Sequence, residues 1–134
     1  MPMSKDVTVT VTGTKDGEVI KTKSAGILYE KDGYTFVSYE DKSDEESVLK
    51  NLLKVSTGVV EMTRKGALSV KFVFEKGKQT RSSYSTMYGA LAMEVFTKKL
   101  NVNQSEEGIL IDIVYDMSVN EGPKEETKIN IEVK

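Results

Sequence analysis

The chain has 134 residues, 19 of them lysine or arginine and 21 aspartate or glutamate, for a formal net charge of -2, and it has no cysteine and no histidine. That length fits one domain spanning residues 1–134, large enough to bury a core without a metal or disulfide staple. The missing residue types exclude disulfides, thiol nucleophiles and thiolate metal sites, and remove the commonest general base and transition-metal ligand.

In chain order, "DVTVTVTGT" sets Val7, Val9 and Val11 on one face and Thr8, Thr10 and Thr12 on the other. This alternation of β-branched residues predicts a half-buried strand. "KDGE" (15–18) and "KDGY" (31–34) carry the Asp-Gly pair that favours type I′ hairpin turns. Gly26 and Gly58 interrupt strand-like stretches and suit bends or bulges. "YTFVSYED" reads as a short strand. "SDEESVLKNLLKVS" (43–56) dissents, because Ser43 and Glu46 form a capping box and Leu49, Leu52 and Leu53 repeat at helical spacing. "RKGA" (64–67) and "EKGK" (75–78) place glycine where a positive φ is expected. Between them, "ALSVKFVFEK" aligns Leu68, Val70, Phe72 and Phe74. "YSTMYGALAMEVFTKKL" (84–100) dissents again, since Ala90, Leu91, Ala92, Met93, Glu94, Lys98 and Lys99 are strong helix formers. "GILIDIVYDMSV" then puts Ile109, Ile111, Ile113, Tyr115, Met117 and Val119 on one face. "NEGPKEET" reads as a solvated loop, and "TKINIEVK" closes with Ile129, Ile131 and Val133 on one side. Turns at hairpin spacing without βαβ alternation predict one antiparallel meander of about eight to ten strands. A sheet of that size curls, closes into a barrel or splits into a sandwich.

Several segments together resemble the YwiB-like family of small bacterial proteins of unknown function. They are "KVSTGVVEMTRKGALSVKFVFEKG", "YSTMYGAL" followed by "TKKL", and "IVYDMSV", with Arg64-Lys65-Gly66, Tyr84 with Tyr88-Gly89, and Tyr115-Asp116-Met117 the most specific parts. The resemblance runs from about Gly26 to the end. It implies a calycin-like (lipocalin-like) closed antiparallel β-barrel, with both dissenting stretches as strands, and it carries no activity. Met87 stands where family members often have a small residue or proline, a local departure in the turn before Tyr88-Gly89.

Four residues are the candidate ligand-binding set. Arg81, Tyr84 and Tyr88 combine a bidentate donor with two flat hydroxylated rings, the equipment of a small-ligand site at a barrel mouth. On a regular strand Arg81 falls on the opposite face from Tyr84 and Tyr88, so a bulge near Ser82-Ser83 is required to join them. The alternative is that the tyrosines pack in the barrel and Arg81 pairs with a surface carboxylate. Arg64 is the fourth, either as an anion binder or in a structural ion pair with Glu61 or Asp116. The acidic stretch "EDKSDEES" (40–47) lacks the spacing and central glycine of a calcium loop, so no metal and no cofactor are expected. Glu61, Glu94, Asp112 and Asp116 are the in-strand acids that a carboxylate-based hydrolase would have to use.

Charges of both signs are interspersed, which argues against a nucleic-acid partner. No apolar run reaches the ~20 residues of a membrane span, and the N-terminus lacks a signal-peptide pattern, so a cytoplasmic location away from membranes is expected. The expected function is non-catalytic small-ligand binding at the barrel mouth. The alternatives are a protein-interaction module or homodimer and, behind that, the hydrolase.

Overall fold

The computed structural model describes residues 4–15, 17–44, 47–65, 69–86 and 88–134, with the side chains of 41–44, 47–49 and 84–86 outside that description. Its regular elements are all strands: β1 (Lys5–Lys15), β2 (Glu18–Lys31), β3 (Tyr34–Asp44), β4 (Ser47–Ser56), β5 (Val59–Lys65), β6 (Val70–Glu75), β7 (Gln79–Thr86), β8 (Gly89–Ser105), β9 (Gly108–Val119) and β10 (Glu125–Val133). Each pairs antiparallel with its neighbour in sequence, β1 also pairs with β10, and the ladder breaks between β6 and β7. The ten strands among the described residues make one nearly closed barrel.

The seam between β6 and β7 is plugged rather than laddered. Thr80 Oγ1 donates to the Val73 carbonyl at 3.0 Å, and the turn after β6 folds onto β8, where Gly77 N donates to Thr97 O at 2.8 Å. The edge groups near the turn thus find partners, as unpaired backbone at a sheet edge must.

The alternating residues of β1, β9 and β10 point inward as their spacing predicts. Val9, Ile111, Ile131 and Val133 are fully buried and Ile113 is nearly so. Each such side chain contributes about 1.5–3 kcal/mol by leaving water. Phe72 stacks on Phe74 at 5.7 Å, and Phe74 meets Tyr115 at 5.0 Å, an aromatic cluster that fills the interior beside the seam. Leu68, expected on the same face, lies outside the described residues.

The described residues of both helix-like stretches are strand apart from the turn at Tyr88, as the family resemblance implies and the local pattern does not. In β4, Leu53, Val55 and Asn51 face inward while Leu52 is turned to the other side, splitting the leucine pair that suggested a helical face. In β8, Met93, Val95 and Thr97 face inward against β9. A bulge between Thr97 and Lys99 then inserts one residue, which shifts the parity so that Leu100 and Val102 join the core. Pairing on both sides outweighs helix preferences of under about 1 kcal/mol per residue.

Turn chemistry follows the sequence at Asp32 (φ 54°) and Gly33 (φ 82°), both left-handed as a type I′ turn requires. Gly58 is a hairpin glycine (φ 78°) between Ser56 and Val59, not a bend within a strand. Gly26 is the bend. It pairs with Val7 on β1 and Tyr39 on β3, and β2 residues before it pair with β1 alone. A methyl group there would sit 2.9 Å from the Ser38 carbonyl oxygen and 3.2 Å from Tyr39 Cβ.

Candidate functional site

An antiparallel meander sends alternate turns to opposite ends. The ends of β1, β3, β5, β7 and β9 therefore gather at one rim, together with the starts of β2, β4, β6, β8 and β10. Two rows of inward residues cross the barrel near this rim. Tyr39, Asn51 and Arg64 stand opposite one another on β3, β4 and β5. Thr97, Tyr115 and Thr127 do the same on β8, β9 and β10.

Arg64 is the next inward position after buried Val60 and Met62. Its stem is half-buried, and its Nε donates to Asn51 Oδ1 at 2.9 Å. Asn51 is only 2% exposed, so the guanidinium is anchored to a rigid part of the interior. No carboxylate among the described residues pairs with Arg64. Tyr115 lies within reach of its charge. Burial pushes the Tyr115 phenol above its ordinary value of 10.0, while the Thr127 hydroxyl and the Arg64 charge pull the other way. Thr127 Oγ1 is buried and has no partner among the described residues other than the Tyr115 phenol.

Above this polar layer is a cleft of about 550 Å3. Val11, Ile20 and Ile129 give it apolar walls, Arg64, Thr22 and Thr127 supply polar groups, and Gly13 opens its floor. A methyl on Gly13 would meet nothing closer than the Ile20 carbonyl at 4.0 Å. Lys15, at the rim, pairs with Glu125 at 2.6 Å. A larger hollow of about 720 Å3 lies where β2 and β3 diverge, bounded by strand edge and outer-face residues such as Lys21, Lys23 and Ile27 rather than by the interior alone.

The candidate residues are dispersed. Arg81 stands on the outer face of β7, opposite Glu94, and pairs with it at 3.0 Å with its side chain 80% exposed. The β7–β8 register runs unbroken from Gln79 to Thr86, so no bulge at Ser82-Ser83 turns Arg81 toward the tyrosines. Arg81 is thus ion-paired on the surface and does not line the mouth. Tyr84 pairs through its backbone with Leu91, and its side chain lies outside the described residues. Tyr88 is in the β7–β8 turn, 92% exposed, at the same rim as Arg64. Neither partner expected for Arg64 reaches it. Glu61 points outward between Lys54 and Lys71, and Asp116 pairs with Lys98 at 3.0 Å, because both have the opposite strand parity to the interior. The remaining in-strand acids are engaged on the outer face as well, Glu94 by Gln79 at 2.8 Å and Asp112 by Asn130 at 2.6 Å. The acidic stretch 40–47 falls largely outside the described side chains. Among the described residues no cluster of three or more acids could hold a metal ion, and no helix is long and apolar enough to cross a membrane.

Asn51, Thr127 and Gly13 were not legible as site residues. The only signal was parity: Asn51 shares a strand face with Leu53 and Val55, and Gly13 continues the Val7–Val11 row.

A family model described as "Domain of unknown function (DUF1934)" matches residues 6–131. The chain is 31% identical over 120 residues to the "Uncharacterized beta-barrel protein YwiB" of Bacillus subtilis (strain 168), covering 90% of this chain and 84% of that protein. The crystal structure of the ywiB protein from Bacillus subtilis superposes with a TM-score of 0.76 at 27% identity, covering 99% of this chain and 93% of that one.

Proposed function

Since the chain belongs to the DUF1934 family of β-barrel proteins of unknown function, we propose from its own geometry that it binds a small molecule at the barrel rim beside Arg64. The observation that carries this is the cleft of about 550 Å3, in which apolar walls and a few anchored polar groups converge at the end of an otherwise filled barrel. That mixture is typical of small-molecule sites. Binding without chemistry is the simplest role for it, in a cytoplasmic protein with no nucleic-acid or membrane partner. The test uses Gly13, whose side-chain position is open. Gly13→Phe fills the cleft from a strand that tolerates the ring. A thermal-shift screen against a metabolite library should find compounds that raise the midpoint of the wild type and leave that of Gly13→Phe unmoved. Compounds that shift both equally would place binding elsewhere, and a wild type unmoved throughout would remove the proposal.

One observation favours a second reading, an interaction module or homodimer. Residues 18–25 of β2 pair with β1 alone, leaving their other edge without a ladder partner among the described residues, and Val19 is 62% exposed there. Such an edge accepts an added strand. Sedimentation over a hundredfold concentration range should show a monomer–dimer equilibrium if this edge pairs with its own copy, and a constant monomer mass if it does not.

A further inference from the structure

Resting on the rim-binding reading, we infer that the ligand is a monocarboxylate on a compact apolar body, seated with its carboxylate on Arg64. Three observations define the headgroup. The Nε of Arg64 is taken by Asn51 Oδ1 at 2.9 Å, which fixes the plane of the guanidinium and leaves its two terminal nitrogens as a fork. No carboxylate among the described residues occupies that fork. Thr127 Oγ1, in the same cleft, is buried with no hydrogen-bond partner among the described residues other than the Tyr115 phenol. A carboxylate matches a guanidinium fork with two parallel hydrogen bonds, and one of its oxygens can also accept from a hydroxyl.

The charge of the cleft sets the charge of the ligand. Its charged lining residues are Lys15, Glu18 and Arg64, and Lys15 is already paired with Glu125 at 2.6 Å. Among the described residues lining the cleft, Arg64 is then the one cation left to compensate a guest, with Glu18 to repel excess negative charge. A single negative charge is matched, whereas a phosphate dianion or a polyphosphate brings a second that nothing there neutralises. The body of the ligand is set by Val11, Ile20 and Ile129. Ile20 is 62% exposed on the inward side of its strand, an apolar surface that a guest would cover.

The probes are octanoate, its neutral analogue octanol and the dianionic octyl phosphate, measured by calorimetry and by amide chemical shifts on the full chain. Octanoate should bind the wild type at least tenfold more tightly than octanol or octyl phosphate, and perturb amides of Val11, Gly13 and Thr127. Arg64→Gln should lose that tenfold preference. Arg64→Lys, which keeps the charge without the fork, should recover only part of it. Gly13→Val should weaken octanoate while leaving the thermal midpoint near wild type, which separates lost binding from lost folding. Octanoate and octanol binding alike, blocked by Gly13→Val and indifferent to Arg64→Gln, would overturn the carboxylate assignment and leave the rim as the binding place. Tighter binding of octyl phosphate would overturn the monoanion assignment. No binding of any probe would overturn the inference, while the library screen with Gly13→Phe decides separately on the rim itself.

Discussion

Tyr115 packs against an aromatic cluster and lies within the field of a cation. Phe74 lies 5.0 Å from its ring on one side, and Arg64 tempers the effect of burial on its phenol. Burial dominates, so the folded protein holds the phenolic proton beyond the pH at which the unfolded chain releases it near 10.0. The stabilisation linked to that proton is complete below the unfolded value and is lost as pH rises through the folded one. Urea denaturation between about pH 8 and about pH 11 should show stability falling at the alkaline end for the wild type, and a flatter profile for Tyr115→Phe. Phe72 and its neighbour Lys71 offer a control on register. Phe72 faces the core, stacked on Phe74, while Lys71 faces out beside Glu61 at 3.8 Å. Phe72→Ala should cost about 3 kcal/mol, the lower end of the range for a phenylalanine because the ring is only partly buried. Lys71→Ala should stay within about 0.5 kcal/mol. Equal midpoint shifts in chemical denaturation would contradict this assignment of faces.

Among the strands, β8 shows how pairing and not composition decides an element. Its helix-forming residues lie between β7 and β9, and one inserted residue after Thr97 rescues the inward face for Leu100 and Val102. Its start is pinned by the turn after β9. Asn120 takes a left-handed conformation (φ 50°), donates its N–H to Ala92 O at 2.8 Å and accepts from Ala92 N through Oδ1 at 3.0 Å. Asparagine tolerates that conformation and its side chain supplies the acceptor. Asn120→Ala should therefore lose about 1–2 kcal/mol from a strained backbone plus a missing hydrogen bond. Asn120→Gly should recover the backbone part, and a glycine variant no better than alanine in thermal unfolding would show that the hydrogen bond alone matters.

For the barrel as a whole, the weak point is where the ladder fails to close. β9 and β10 are each paired on both sides, whereas β6 and β7 meet across a seam held by contacts such as Thr80 to Val73 and the folded-back turn. Local opening follows such differences in pairing and packing. Native-state hydrogen exchange should find the slowest amides at Ile111, Ile113 and Ile131, and faster exchange on the seam side of β6 and β7 and along residues 18–25 of β2. Uniform protection around the barrel would mean that the seam is as well bonded as the rest. Far-UV circular dichroism should show β-structure with little helix, and a third or more helix would contradict the fold.

The sequence by itself determined the class of this fold, the inward faces of β1, β9 and β10, and the turn at Asp32-Gly33. These depend on two-residue periodicity and on sterics within a few residues, which any chain segment carries locally. Arg64 was also visible as a candidate, since an arginine at the end of an apolar strand stands out. That residues 47–56 and 89–105 are strands was implied by the family resemblance against the local pattern, and only the tertiary structure decided that the ladder breaks between β6 and β7 and that Arg81 is an outer-face ion pair. It also decided that Arg64 meets Asn51, 13 residues away, rather than Glu61 or Asp116. Those outcomes depend on which strand lies beside which and in what register. A shift of one residue reverses every side chain in a strand, and no local pattern records the partner across the sheet.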